Sequence, residues 1–211
     1  DCLFELSEAY GKAGRPADAA RIAEETLRRS PGHLYTLRSY GTYLSAKGEL
    51  ARGAELLEQA RAKVPDHPRT LHDLGLNYAR QGRFDEAVPR YRKAIELDPK
   101  YPEPHNNLGM PLARQKRWQE AIAAFTRALE LNPALTDARS NLGAALAQLG
   151  RLDEAIQTLQ KAGQNPARAY PALRKLGGLF IEKGQMPLAI DTLKRALEKA
   201  PQSKSISAEV K

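Results

Sequence analysis

The sequence has almost no cysteine. Cys2 is the only one, which rules out an internal disulfide and leaves both reducing and oxidising compartments open. Cys2 reads as an ordinary residue of a first helix, with a lipid-anchor role as the alternative. Aromatic residues make up only 6% of the chain, so a core has to be built from Ala, Leu and Ile. That mixture is helical, because Ala and Leu are strong helix formers and β-branched residues are sparse. No apolar run approaches the roughly 18–20 residues that span a bilayer, and no secretory signal is present. The chain begins at Asp1 without a Met, inside an expected helix, and reads as a piece of a longer protein. The compartment stays open, with the cytoplasm favoured over the periplasm, and the Ala- and Arg-rich composition has a bacterial look.

Catalytic signatures are missing as well. There is no G-x-G-x-x-G, no G-x-x-x-x-G-K-[ST] and no G-x-S-x-G. The four histidines, His33, His67, His72 and His105, do not form H-E-x-x-H or pair with a second ligand at helical spacing. The acid pairs Asp85-Glu86 and Asp153-Glu154 open helices, where carboxylates complement the dipole. Adjacent carboxylates on a helix point in different directions, which argues against paired acid–base chemistry. The reading is a non-enzyme without cofactor or metal. The net charge is +8, which favours an acidic partner. Yet the basic residues are scattered, with no block of like charge and no basic stretch interleaved with aromatics. Nucleic acid is therefore the weaker reading of that charge.

What the chain does contain is a period. Gly41, Gly75, Gly109, Gly143 and Gly177 are 34 residues apart. Gly14, Gly48, Gly82, Lys116, Gly150 and Gly184 keep the same step, as do Ala19, Gly53, Ala87, Ala121, Ala155 and Ala189. Pro31, Pro65, Pro99 and Pro133 follow it too, then Pro166 one place early and Pro201. The first glycine and the alanine let two helices pack closely. The second glycine sits at a turn that needs a left-handed conformation. The proline ends a second helix before the next copy starts. One such copy cannot bury its own apolar face, so stacked neighbours supply the core.

The third copy, with Leu71, Leu74, Gly75, Tyr78, Gly82, Ala87, Tyr91, Ala94 and Pro99, resembles the tetratricopeptide repeat. The resemblance covers nearly the whole chain, as copies at about 1–33, 34–67, 68–101, 102–135, 136–169 and 170–203. Residues 204–211 are a tail or the start of a truncated capping helix. It implies an all-α fold, an α-solenoid of antiparallel helix pairs in a right-handed superhelix, arranged as a single array.

Departures mark individual copies. Lys116 replaces the turn glycine at a cost of roughly 1 kcal/mol. Pro111 falls mid-way through a first helix, where it cannot donate to the Asn107 carbonyl and is expected to kink the helix. Pro89 does something milder near the start of a second helix. Copy five loses one residue around Gly163-Gln164-Asn165-Pro166, so its second helix is expected to end early. Ser7 stands at the close-packing place of the first copy.

In the family that the pattern resembles, first helices line a concave groove. Its lining positions carry over here as rows. The fifth place gives His72, Asn106 and Ser140, and the sixth gives Asp73, Asn107 and Asn141. The ninth gives Leu76, Met110 and Ala144; the twelfth gives the small Ala79, Ala113 and Ala147, which leave room; the thirteenth gives Arg80, Arg114 and Gln148. Asparagines suit an extended backbone, Met110 adapts to irregular apolar side chains, and the arginines favour carboxylates. The residue clamp for acidic C-terminal chaperone peptides is incomplete in every register. The asparagine ladder of O-linked N-acetylglucosamine transferases matches only at Asn107 and Asn141. The leading expectation is a scaffold that binds a protein or peptide of acidic character, self-association included. The chief alternative is the substrate-recruiting arm of a larger enzyme such as a glycosyltransferase.

Overall fold

A computed structural model of the chain describes residues 2–160 and, between 173 and 199, all but 175, 179 and 183. Helices follow one another throughout, with no strand among the described residues. They are α1 (Cys2–Lys12), α2 (Pro16–Arg29), α3 (Leu34–Lys47), α4 (Leu50–Lys63), α5 (Pro68–Arg80) and α6 (Phe84–Leu97). Then come α7 (Pro102–Arg114), α8 (Trp118–Leu131), α9 (Thr136–Gln148), α10 (Leu152–Gln160) and α11 (Met186–Lys199). The fold is an all-α solenoid of antiparallel helix pairs. It divides into two units, Asp1–Asn107 and Leu108–Lys211, with the division inside α7.

In the first unit α1 packs on α2, α3 on α4 and α5 on α6, with α4 against α5. Its buried residues include Leu37, Leu44, Leu57, Leu74 and Tyr91. In the second unit α9 packs against both α8 and α10. Leu112, Phe125, Leu146, Leu159, Leu176 and Phe180 form one core there.

The two glycine series and the proline series act as their residue types suggest. A Cβ added at Gly75 would stand 2.6 Å from Cε1 of Tyr91, and at Gly109 it would stand 2.5 Å from Cε1 of Phe125. Gly41, Gly143 and Gly177 face Leu57, Leu159 and Leu193 in the same way. Each glycine thus lies under a large side chain sixteen residues downstream, on the other helix of its own pair. At the turns, Gly82 has φ +78 and Gly150 φ +77, while Lys116 is the one described residue other than glycine with positive φ, at 59. Arg83 N–H donates to the Tyr78 carbonyl across 2.9 Å, and Arg117 N–H donates to that of Leu112 at the same distance. This six-to-one bond satisfies a carbonyl that the helix end would otherwise leave open. The turn at Lys116 therefore keeps the glycine geometry at the cost of a Cβ in a left-handed conformation. Pro65, Pro99 and Pro133 each lie two residues beyond a helix end, at Lys63, Leu97 and Leu131.

Helix α7 runs through Pro111, which is buried, and α6 runs through Pro89, which is exposed. The shortened stretch at 163–166 and the tail at 204–211 lie outside the described residues.

Candidate functional site

The first helices α3 and α5, with the opening of α7, carry a connected set of polar side chains in the first unit. Nη1 of Arg38 on α3 donates to Oδ2 of Asp73 on α5 across 3.1 Å. Oδ1 of Asp73 lies 3.3 Å from Nδ1 of His72. Nδ2 of Asn107 on α7 donates to Nε2 of His72 across 2.9 Å. Asn106 Nδ2 in turn donates to Oδ1 of Asn107 across 3.1 Å. The Tyr101 hydroxyl stands 3.2 Å from Nδ1 of His72, with the two rings edge to face at 5.2 Å. Two of these links share one rule: the fifth place of one copy bonds the sixth place of the next, as Arg38–Asp73 and His72–Asn107.

That rule changes what the rows offer. His72 is 7% exposed and Asp73 9% exposed, so both face the neighbouring helix rather than open solvent. Burial makes the pairing matter, because an unpaired polar group away from water costs about 1–3 kcal/mol. Burial also pushes the Tyr101 phenol up to about 12, with the nearby Asp73 charge adding to it. His67, at the start of α5, is held below its ordinary value by burial and then by the Arg38 charge.

The ninth and thirteenth rows are placed differently. Leu76 is half-buried and Arg80 exposed on α5. On α7, in the second unit, Met110 is 43% exposed and Arg114 is exposed. On α9, Ser140, Asn141, Ala144 and Gln148 are all half-buried. The expectation that the small twelfth-row residues leave room fails at Ala147. It is 1% exposed and packed into the core with Phe125, Leu146 and Leu159. Ala79 and Ala113 are half-buried.

Two roles were not visible from site-oriented reading. Nδ1 of His33 accepts from Thr36 N–H across 3.3 Å, and Nδ1 of His67 accepts from Thr70 N–H across 3.2 Å. Both histidines are helix N-caps, satisfying a donor that the first turn leaves without a partner. The signal is an H-x-x-T repeated 34 residues apart. The second role belongs to the arginine that follows the turn. Nε and Nη2 of Arg83 reach Glu86 at 2.6 and 2.7 Å. Arg117 holds Glu120 with two bonds of 2.7 Å, and Arg151 holds Glu154 likewise. The hydrogen bonds from these arginines hold the Glu86 and Glu154 carboxyls below the usual carboxylate range. These three arginines are thus matched locally at the turns, by glutamates that the net charge of +8 already counts.

Among the described residues no cluster of His, Cys, Asp or Glu is arranged to hold a metal ion. No described helix is long and apolar enough to cross a membrane.

Comparison with known proteins agrees with the repeat geometry. Tetratricopeptide repeat models match residues 2–25, 32–100, 72–136, 112–169 and 171–203. No curated protein sequence matches. Among solved structures, a crystal structure of MamA is 27% identical with a TM-score of 0.65, covering 77% of this chain and 95% of that one. YrrB, described as a tetratricopeptide repeat protein with an unusual peptide-binding site, is 21% identical with a TM-score of 0.67, covering 90% and 97%. The APC/C hetero-tetramer Cut9–Hcn1 is 20% identical with a TM-score of 0.78, covering 99% of this chain and 41% of that one. The last two are likenesses of fold alone. The close-packed glycine, the left-handed turn and the matched sequence models converge on one conclusion: this chain belongs to the tetratricopeptide repeat family.

Proposed function

We propose that the protein is a non-catalytic interaction scaffold whose first helices bind an extended segment of a protein partner carrying both apolar and acidic side chains. One observation carries this reading. An accessible apolar residue is followed one helical turn later by an exposed arginine on α5, as Leu76 and Arg80, and on α7, as Met110 and Arg114. Residues four apart share a helix face, so each helix offers an apolar contact beside a cation. Met is suited to irregular partners, and a guanidinium is suited to carboxylates. On α9 the ninth and thirteenth rows carry Ala144 and Gln148, and the fifth and sixth carry Ser140 and Asn141. The polar set around His72, Asp73, Asn106 and Asn107 ties α5 to the opening of α7. The peptide-binding YrrB supports the class of partner and says nothing about its identity. The basic residues are scattered along the chain rather than gathered in a block, which weighs against a nucleic-acid partner.

A peptide-display selection tests the proposal. The selected peptides are expected to be enriched in Asp or Glu next to apolar residues. Arg80→Glu with Arg114→Glu is expected to weaken them by at least about tenfold, or about 1.4 kcal/mol. Arg92→Glu with Arg127→Glu, at exposed positions of α6 and α8, is expected to leave binding unchanged. Equal loss from both reversals, or no enrichment at all, overturns the proposal in favour of diffuse electrostatics.

A further inference from the structure

The first copy inverts the packing rule of the others. Where later copies have glycine it has Ser7, and where they have Leu57, Tyr91, Phe125, Leu159 and Leu193 it has Ala23. The two changes are complementary. Ser7 can carry its Cβ because no large side chain presses on it, and its hydroxyl donates to the Ala19 carbonyl across 2.9 Å. Ala23 is itself buried and packs with Tyr40 and Leu44, and beside it the smaller side chain leaves an opening. A pocket of about 310 Å³ lies among α1, α2 and α3, lined by Ser7, Gly11, Ala20, Ala23, Tyr40 and Tyr43, with others. The Tyr40 and Tyr43 rings are stacked at 6.2 Å with 15° between their planes. Tyr40 is anchored by its hydroxyl, which donates to Glu24. The mouth opens past exposed Glu8, Gly11 and Lys12.

We propose that this pocket is a receptor for one aromatic side chain, Tyr or Phe, presented by a partner peptide. The occupant is read from the molecule itself, because Tyr91 and Phe125 stand at the repeat position of Ala23, which lines the pocket. The size agrees: an apolar cavity of roughly 150 Å³ already takes up benzene. Stacked tyrosines offer ring faces and edges to an incoming ring, and the Ser7 oxygen lies within the lining for a phenol. The pocket is formed by residues 7–43 and shares no residue with the rows on α5, α7 and α9, so it goes beyond the function proposed above.

The test uses two probes on the full chain, p-cresol and N-acetyltyrosinamide, with N-acetylalaninamide as the control. Binding is read from amide chemical shifts. Both aromatic probes are expected to give saturable millimolar binding, with the largest shifts at Gly11, Ala20, Ala23 and Tyr43, and the control none. Ser7→Gly with Ala23→Phe rebuilds the pairing of the later copies; it is expected to raise the Tm and abolish binding of both probes. Gly11→Leu serves as a second variant, since a Cβ at Gly11 meets nothing within 4 Å. It is expected to weaken binding at least fivefold with unchanged helix content. No saturable shift in the wild type, or undiminished binding in either folded variant, overturns the pocket. Binding of p-cresol without N-acetyltyrosinamide overturns its assignment to a peptide side chain. Neither result depends on Arg80 or Arg114, so the two proposals fail separately.

Discussion

Nδ2 of Asn107 donates to Nε2 of His72 across 2.9 Å, and an amide NH2 can only donate. Nε2 is therefore the acceptor, and the ring proton sits on Nδ1, facing Asp73 and Tyr101. Long-range 15N–1H correlation spectra are expected to show His72 as the Nδ1–H tautomer. Asn107→Asp replaces the donor with an acceptor and is expected to move the ring proton to Nε2. An Nε2–H signal in the wild-type protein would refute this arrangement.

Gly75→Ala is expected to destabilise the protein by about 1–3 kcal/mol, the range for overpacking a core. The new methyl would lie 2.6 Å from the Tyr91 ring. Tyr91→Ala removes that obstruction while leaving a cavity that costs about 3–5 kcal/mol. In the double variant the methyl meets no ring, so the two costs sum to less than their separate values. Strict additivity in chemical denaturation would show that the Gly75–Tyr91 contact is not the cause.

At the fourth turn, Lys116→Gly relieves a left-handed backbone at φ 59. It is expected to stabilise by up to about 1 kcal/mol, less the entropy that glycine adds to the unfolded chain. Gly82→Ala, at φ +78, is expected to destabilise by about 1 kcal/mol. Opposite signs in the denaturation midpoints are the expected result, and a loss of stability in Lys116→Gly would count against it.

Four tyrosines set an alkaline limit. Tyr40 is pushed up to about 12 by burial and then by its bond to Glu24, and Tyr101 to about 12 by burial. Tyr91 and Tyr78 are raised as well, by burial first. Each phenol holds its proton more tightly in the fold than the ordinary 10.0. Their contribution to stability is therefore complete below pH 10 and is lost as the pH rises toward and past 12. Tyrosinate absorbance is expected to appear late and together with loss of helix. Tyr91→Phe keeps the ring and deletes the titrating hydroxyl, so it is expected to flatten the alkaline slope. An unchanged slope would exclude Tyr91 as a contributor.

Periodicity made the fold readable. Glycine, alanine and proline recur because backbone geometry recurs, and a turn near φ +78 or a ring across Gly75 tolerates few residues. The polar set at His72 was harder to see for a geometric reason. Aligning copies at 34 residues stacks like positions on one another, whereas Arg38–Asp73 and His72–Asn107 are separated by 35. The rows lie on first helices, and the bonds run obliquely between them. Ala147 misled because a small side chain signals either vacancy or tight packing, and only its neighbours Phe125 and Leu159 decide which. The arginine clamps were concealed by their glutamates, which also make sense as acidic residues in a first helical turn.

The sixteen-residue offset between each glycine and its covering side chain has a consequence for how such a chain can lengthen. Both halves of that lock, such as Gly75 and Tyr91, lie within one copy. A duplicated copy would bring its own lock, while its apolar face would still need neighbours to cover it. The bonds of Asn77 to Ser45 and the Leu50 carbonyl, and of His72 to Asn107, join one copy to the next. A new copy inserted between the second and third would leave every hairpin intact but separate Asn77 from Ser45. Gain or loss of copies is thus constrained by the junctions rather than by the hairpins, and the polar junction residues define which neighbours can be exchanged.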